Sequence, residues 1–396
     1  MIIQPKTRGF ICTTAHPVGS AAQVKQQIDY VTKQSNISGP KNVLVVGAST
    51  GYGLASRIVS AFGAGANTIG VYFDRGAEGG RTASAGWYNS AAFEEEAQKA
   101  GLKSYSIVGD AFSNDIKDKT IQLIKEQIGK IDLVIYSVAS PRRIDPQTGE
   151  VYNSVIKPLG ETYRNKTVNF HTGEVNIATI EPATAEEKEA TIKVMGGEDW
   201  KLWIDALQTA EVLAEDATTV AYSYIGPAIT HAVYRDGTIG AAKNHLEATS
   251  HDLHQQLSKT GGRAFVSVNK ALVTQSSAAI PVVPLYISAL FKVMKEEGIH
   301  EGCIEQIYRL FAERLYTGQE VTVDEKRLIR LDNLEMLPHI QDKVAQIWEQ
   351  LTTENVYELT DLVSYRKEFF NLFGFETEGV DYEADVDPDV AILNSI

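Results

Sequence analysis

The sequence has no run of about 18 consecutive apolar residues, so no segment reads as a membrane-spanning helix. Cysteine is almost missing: only Cys12 and Cys303 occur in 396 residues. Two distant thiols make neither a disulfide framework nor a metal-ligand cluster, and two reduced thiols in a reducing compartment are expected. Met1 to Arg8 lacks the basic start, apolar stretch and small-residue cleavage site of a signal peptide, which points to a cytoplasmic location. No pair of histidines has zinc-site spacing and no Gly-x-Ser-x-Gly elbow occurs, so neither metal catalysis nor that serine chemistry gains support, and no metal is expected. Positive charge is in deficit, with 37 Lys and Arg against 51 Asp and Glu, a net of −14. Such a chain is a poor general nucleic-acid binder, because phosphate contacts need clustered cations. There is no internal repeat and no low-complexity linker. Apolar residues are not scarce: at 43% they suffice for a large core and exclude a mainly disordered chain.

Asn42 to Val46 is too apolar for a surface strand and suits a central parallel strand buried on both faces. A lead-in helix over 19–33 precedes it. Helix and strand then alternate: helix 50–62, strand 68–73, helix 87–99, strand 103–108, helix 116–128 and strand 131–138. That rhythm predicts a doubly wound, Rossmann-like parallel sheet of the α/β class. It breaks after Ser140. Residues 145–215 read as an insertion that carries a small β-hairpin over 167–180, on both sides of His171 to Glu174, and helices over 185–195 and 199–214. Strand 218–224, a long helix over 238–260 and a last strand over 263–268 restore the pattern. From Ile280 the chain reads as a helical C-terminal extension, with a possible short hairpin over 321–331. The acids Glu376, Glu378, Asp381, Glu383, Asp385, Asp387 and Asp389 mark a solvated tail. One continuous domain over 1–396 is expected, with a dinucleotide-binding half (41–144), the insertion (145–215), an active-site half with the substrate helix (216–290) and the extension (291–396).

The strongest local signal is Gly47-Ala48-Ser49-Thr50-Gly51-Tyr52-Gly53, straight after the first buried strand. Glycines there let the backbone approach a pyrophosphate, and the helix that follows offers free N–H groups and a positive dipole end. Phe73 and Asp74 close the second strand, with Asp74 21 residues past Gly53. A carboxylate there accepts from the adenosine ribose hydroxyls and repels a 2′-phosphate, which favours NADH over NADPH, although Arg75 follows at once. Asp110 and Ala111 follow the third strand, and Val138 and Ala139 end the fourth. These strand ends are where open parallel sheets bind ligands. Asp110 suits the adenine amino group; Val138 and Ala139 are small enough to let a ribose pass.

The second signal is Tyr222, Tyr224, Tyr234 and Lys243. Beside a nicotinamide, a tyrosine hydroxyl supplies a proton or a hydrogen bond to developing oxyanion charge, and a lysine holds the ribose. Tyr234 and Lys243 lie nine positions apart, about half a turn out of phase on one straight helix. Asp236 to Thr238 interrupts the segment, so Tyr234 is placed on a loop and Lys243 on the second turn of a helix capped by Asp236 or Thr238. Tyr222 and Tyr224 share a strand face, and either can reach a substrate carbonyl. His231 reads as structural, His16 and His171 as loop residues, and Glu94 to Glu96 as a solvated helix face. These residues alone reach an NAD-dependent α/β oxidoreductase with a tyrosine–lysine site; a carbonyl reductase or alcohol dehydrogenase on this scaffold and a dinucleotide-sensing protein without turnover both stay open.

Taken together these residues resemble the single-chain trans-2-enoyl-CoA reductase and enoyl-acyl-carrier-protein reductase family, a long relative of the short-chain dehydrogenase/reductases. The likeness covers almost the whole chain. It runs through the glycine loop, Ala85 to Ser90, Gly109 to Asn114, Met195 to Trp200, Ala221 to Gly226, Val268 to Thr274 and Ile280 to Tyr286. Its specific mark is the Tyr-x8-Lys spacing of Tyr234 and Lys243; ordinary short-chain dehydrogenases space the pair by three residues and common enoyl reductases by six. The resemblance implies NADH-dependent reduction of the double bond of an enoyl-CoA or enoyl-acyl-carrier-protein, with hydride going to the β-carbon. It implies Tyr234 as proton donor, Tyr224 at the substrate carbonyl and Lys243 on the cofactor. It places Leu272 and Val273 along the nicotinamide, Thr274 near its ribose or phosphates, and the helix from Ile280 beside the acyl chain. The family often has glutamate where Asp74 stands, and many members have two lysines where this chain has Lys243 and Asn244. Arg142 and Arg143 are candidates for a basic rim that meets the anionic carrier. A monomer is expected, because the additions cover surfaces that smaller relatives use to assemble.

Overall fold

Asn42–Val46 forms β1, an interior strand of a seven-stranded sheet in a computed structural model that describes residues 1–396. The other strands are β2 (Asn67–Tyr72), β3 (Ser104–Val108), β4 (Ile131–Tyr136), β5 (Leu213–Ser223), β6 (Arg263–Val268) and β7 (Leu328–Arg330). Their order is β7-β6-β5-β4-β1-β2-β3, and every neighbouring pair is parallel. Parallel neighbours require crossovers, which the helices supply. These are α1 (Pro17–Thr32), α2 (Gly51–Ile58), α3 (Ala85–Lys99), α4 (Asn114–Leu123), α5 (Ala185–Met195), α6 (Glu198–Thr209), α7 (Ala228–His231), α8 (Thr238–Leu257), α9 (Gln275–Ala278), α10 (Val283–Glu296), α11 (Cys303–Leu310), α12 (Pro338–Gln350), α13 (Val356–Leu359) and α14 (Leu362–Asn371).

Alternation along β1 sorts two cores. Val43 and Val45 pack with Val24, Leu54, Phe93 and Ile307 of α1, α2, α3 and α11. Leu44 and Val46 face Ile116, Trp203 and Leu246 of α4, α6 and α8. Both faces are covered, which is why the strand is apolar throughout. A third core joins α10, α12 and α14 to the insertion hairpin (Tyr163–Asn169 with Glu174–Ile180) through Val168 and Phe170. The α/β doubly wound expectation holds, as do the hairpin and the helical extension. No helix is long and apolar enough to cross a membrane.

Several local expectations are corrected. The segment over 321–331 makes no hairpin: Leu328–Arg330 pairs in parallel with β6 as a seventh strand. The helix placed over 199–214 ends at Thr209, and β5 starts at Leu213. Two small antiparallel pairs went unread, Thr7–Arg8 with Ile11–Cys12 and Arg142–Ile144 with Val151–Asn153. The tail exposes its acids, yet its backbone is anchored. Trp87 Nε1 and the Tyr88 hydroxyl donate to the carbonyls of Val390 and Pro388, and Ile396 N donates to Ser106 O at the β3 edge. Glu94 is not part of a solvated face. It is fully buried and paired with Arg57 at 2.6 Å, with Ser106 Oγ donating to the same carboxylate oxygen. His16 is buried and accepts from Gly19 N at the start of α1.

Candidate active site

Beyond the carboxyl ends of the strands lies a cavity of about 1010 Å3. That is the place where open parallel sheets bind ligands, and its size stands at the top of the range of about 300–1,000 Å3 usual for small-molecule sites. Tyr234, Lys243, Tyr224 and most of the cofactor candidates line it; Ala48, packed inside the fold, and Gly53 and Arg143 do not.

The glycine loop forms one wall. Thr50 stands at the N-cap of α2, and its side chain makes no capping bond, so the first N–H groups of the helix stay available to an anion. Gly53 is required by contact: a Cβ there would sit 1.8 Å from the carbonyl oxygen of Gly47. Thr274, the N-cap of α9, closes the loop from the other side; its methyl group lies 3.8 Å from the place of a Cβ on Gly51. Leu272 and Val273 are buried on the way to it. At the far end Phe73 is 81% exposed, a bare aromatic face on the cavity rim. Asp74 beside it accepts from Ser84 Oγ at 2.7 Å, and α3 comes so close that a Cβ on Gly86 would meet the carboxylate at 2.3 Å. Asp110 accepts from Phe112 N at 3.0 Å. An uncapped helix start, a glycine wall, a fixed carboxylate and an exposed ring fit a dinucleotide.

Tyr234 and Lys243 both line the cavity. Tyr234 sits in the turn between α7 and α8, held by its N–H to Thr230 O at 3.0 Å. Lys243 is on the second turn of α8. The cap of that helix is Gly237; neither Asp236 nor Thr238 serves, since Thr238 Oγ1 donates to Val155 O. The Tyr234 side chain is nearly buried, its hydroxyl has no protein partner, and burial pushes its pKa up. It is therefore a neutral phenol with an uncommitted proton across the physiological range. Lys243 Nζ donates to Tyr222 O at 2.9 Å, and burial lowers its pKa to about 8, against a pull upward from Glu247.

The other tyrosines are tied into the protein. The Tyr222 hydroxyl bonds Ser56 Oγ at 2.6 Å. Tyr224 packs edge-on against Tyr234, with ring centroids 5.0 Å apart, and its hydroxyl donates to Glu335 at 3.1 Å. Arg142 lines the cavity, but Arg143 is buried and bonded to Glu198 and to Lys193 O, so it belongs to no rim. His231 bonds Gly226 O and His171 bonds Gly9 O. Sequence reasoning missed Lys270, Cys303 and Glu368, which also line the cavity. Lys270 lies within Val268 to Thr274, so its place in that stretch was the available signal; the others come from the extension.

Comparison with known proteins follows this geometry. Three family models match in succession: "NAD(P)H binding domain of trans-2-enoyl-CoA reductase" over 2–79, "Trans-2-enoyl-CoA reductase catalytic region" over 81–316, and "Enoyl reductase FAD binding domain" over 323–386. The chain is 61% identical to an enoyl-[acyl-carrier-protein] reductase [NADH] of Flavobacterium johnsoniae, over 99% of each chain. It is 59% identical to a trans-2-enoyl-CoA reductase [NADH] of Ruminiclostridium cellulolyticum, again over 99% of each. Its structure is similar to that of Clostridium acetobutulicum trans-2-enoyl-CoA reductase in complex with NADH, with a TM-score of 0.96 and 48% identity over 98% of each chain.

The description of the third model names a flavin, and the matched residues do not form a cradle for one. Ile340, Val344, Trp348, Phe369 and Phe370 fill the interior of that segment. Its two glycines, Gly374 and Gly379, follow α14 and begin no helix. Only Glu368, Asn371 and Leu372 reach the cavity.

Proposed function

The chain belongs to the trans-2-enoyl-CoA reductase family, and on that premise we propose that it reduces the double bond of trans-2-enoyl thioesters with Tyr234 as proton donor and Lys243 as the cofactor's cation. It is an NADH-dependent oxidoreductase. The observation that carries the assignment of roles is the uncommitted proton of Tyr234, in the same cavity as a half-buried lysine and the glycine loop.

NADH, when bound, supplies the hydride that the β-carbon accepts. The residues of the chain do the rest. The N-terminus of α2 and the glycine loop would hold the pyrophosphate, Phe73 the adenine and Asp74 the ribose hydroxyls. Lys243, charged below about pH 8, would donate to the nicotinamide ribose. Tyr234 holds a proton next to the enolate that hydride addition leaves and transfers it, which restores the neutral thioester. The buried walls keep water from competing for that proton. Family membership leaves the carbonyl-reductase and sensor readings without support. A cytoplasmic monomer is our reading of the unpaired thiols and of the β3 edge, which the C-terminal residues cover.

Incubation with NADH and either crotonyl-CoA or trans-2-dodecenoyl-CoA tests the function. Loss of NADH matched by saturated acyl-CoA is expected; binding of NADH without turnover of either contradicts it. Cofactor choice has its own test. Asp74→Ser removes the charge that repels a 2′-phosphate while Ser84 and Gly86 keep the backbone in place. A rise of about tenfold in kcat/KM for NADPH and a comparable fall for NADH are expected, the size of one charge-assisted hydrogen bond. Unchanged NADPH kinetics would remove Asp74 from that role.

A further inference from the structure

Glu335 lies in the turn between β7 and α12, fully buried and outside the cavity lining. One of its carboxylate oxygens accepts from two phenols, Tyr224 at 3.1 Å and Tyr286 of α10 at 2.7 Å. The other accepts from Ala271 N at 2.7 Å, at the end of β6. Gln341 completes the cluster by donating to Tyr286 Oη and to Glu335 O. A single side chain therefore ties the ends of β5 and β6, helix α10 and the turn after β7. No residue of that cluster except Tyr224 and Ala271 lines the cavity.

Burying a carboxylate is costly unless it is bonded and opposed by positive charge. Here three donors and the nearby Lys270 ammonium meet that cost, while burial pushes the carboxyl pKa up. A structural tie alone would be served as well by apolar packing. What the carboxylate adds is a fixed direction for the Tyr224 proton. A phenol has one proton, and this one is given to Glu335, so the Tyr224 oxygen can accept on its cavity side but has no proton left to donate. Of the two tyrosines packed edge-on, only Tyr234 then offers a proton to the cavity.

We propose that Glu335 is a positioning residue for the reduction: by holding the phenolic proton of Tyr224 it fixes that ring, and the fixed ring sets the place of the Tyr234 hydroxyl. The proposal rests on Tyr234 as donor. It also replaces the hydrogen bond from Tyr224 to the substrate carbonyl with a supporting role.

The test is a double-mutant cycle on the full chain, with kcat for crotonyl-CoA at saturating NADH as the readout. Glu335→Gln keeps the shape but cannot accept from Ala271 N and both phenols together. It should lower kcat about tenfold, with KM for NADH unchanged, and in a Tyr224→Phe background the same change should cost less than about twofold. Tyr286→Phe removes the other phenol from the same oxygen and should leave kcat within about twofold. If the glutamine variant does not fold, Glu335→Asp, which keeps the charge and shortens the reach, carries the cycle with the same expectations. Equal losses in the two backgrounds, or no loss in the wild-type background, would overturn the proposal. Tyr234→Phe, measured alongside, separates this outcome from failure of the donor assignment, since it must lower kcat by at least about 10²-fold whatever Glu335 does.

Discussion

Tyr234→Phe is expected to lower kcat for an enoyl thioester by about 10²- to 10⁴-fold, the usual worth of a positioned general acid, or about 3–5 kcal/mol of barrier. The change removes one oxygen and no packing. The Tyr234 hydroxyl has no protein hydrogen bond to lose, so stability should stay close to that of the wild type. Edge-on contact with Tyr224 survives, because it is made by the ring. NADH affinity should also survive, because Lys243 and the glycine loop are untouched. The split between lost kcat and retained cofactor binding is the signature of a group that acts on the reacting atoms. Steady-state rates with crotonyl-CoA, together with NADH fluorescence titration, measure both halves. A variant that keeps more than about a tenth of wild-type kcat would move the proton donor elsewhere.

Lys243→Met has the second large effect, and it falls on the other half of the split. Methionine fills much of the same space and leaves Tyr222 O without its donor. A hydrogen bond from a charged donor is worth about 1.5–3 kcal/mol, so NADH affinity should fall roughly 10- to 150-fold. The same residue predicts a pH dependence. Burial has brought its pKa down to about 8, so the ammonium is present below that pH and is lost as pH rises through it. NADH affinity of the wild type should therefore weaken above about pH 8, while the methionine variant shows no such limb. The sign for stability is opposite. The unfolded lysine keeps its proton up to its ordinary pKa of about 10.4, so between about 8 and that value the unfolded chain binds more protons, and this residue's contribution to folding improves as pH rises. Affinity and thermal unfolding measured across pH 7 to about 10 should thus move in opposite directions through this group.

What could be read in the sequence was local. The glycine loop and Asp74 lie within a single β–α–β unit, and the repeated crossovers bring the ends of the third and fourth strands to the same edge of the sheet. Tyr234 and Lys243 needed one further idea, a chain break at Asp236 to Thr238, and the turn is there. What escaped was long-range. Glu335 accepts from Tyr224 across 111 positions, and nothing near either residue announces the other. The seventh strand is three residues long and gains its meaning only from β6 beside it.

Errors with charge have a common cause. Glu94 to Glu96 looks like a row of equivalent acids, but helical phase turns Glu94 inward to Arg57 while Glu95 and Glu96 meet Lys99 near the surface. Arg142 and Arg143 are neighbours on a strand, so one faces the cavity and the other is buried against Glu198. In the tail the acids point out, while buried Ile392 and the carbonyls of Pro388 and Val390 fasten the chain. In each case the sign of the charge was legible and its direction was not.

In the proposed reduction, hydride and proton reach adjacent carbons from different sources, and isotopic labelling of the product reads both. Crotonyl-CoA would be reduced once with NADH deuterated at both C4 positions in ordinary water, and once with ordinary NADH in deuterated water. Saturated acyl-CoA with a single deuterium at the β-carbon is expected in the first case, and with a single deuterium at the α-carbon in the second. Label in a product reduced at the thioester carbonyl, or no reduced product while NADH binds, would contradict it.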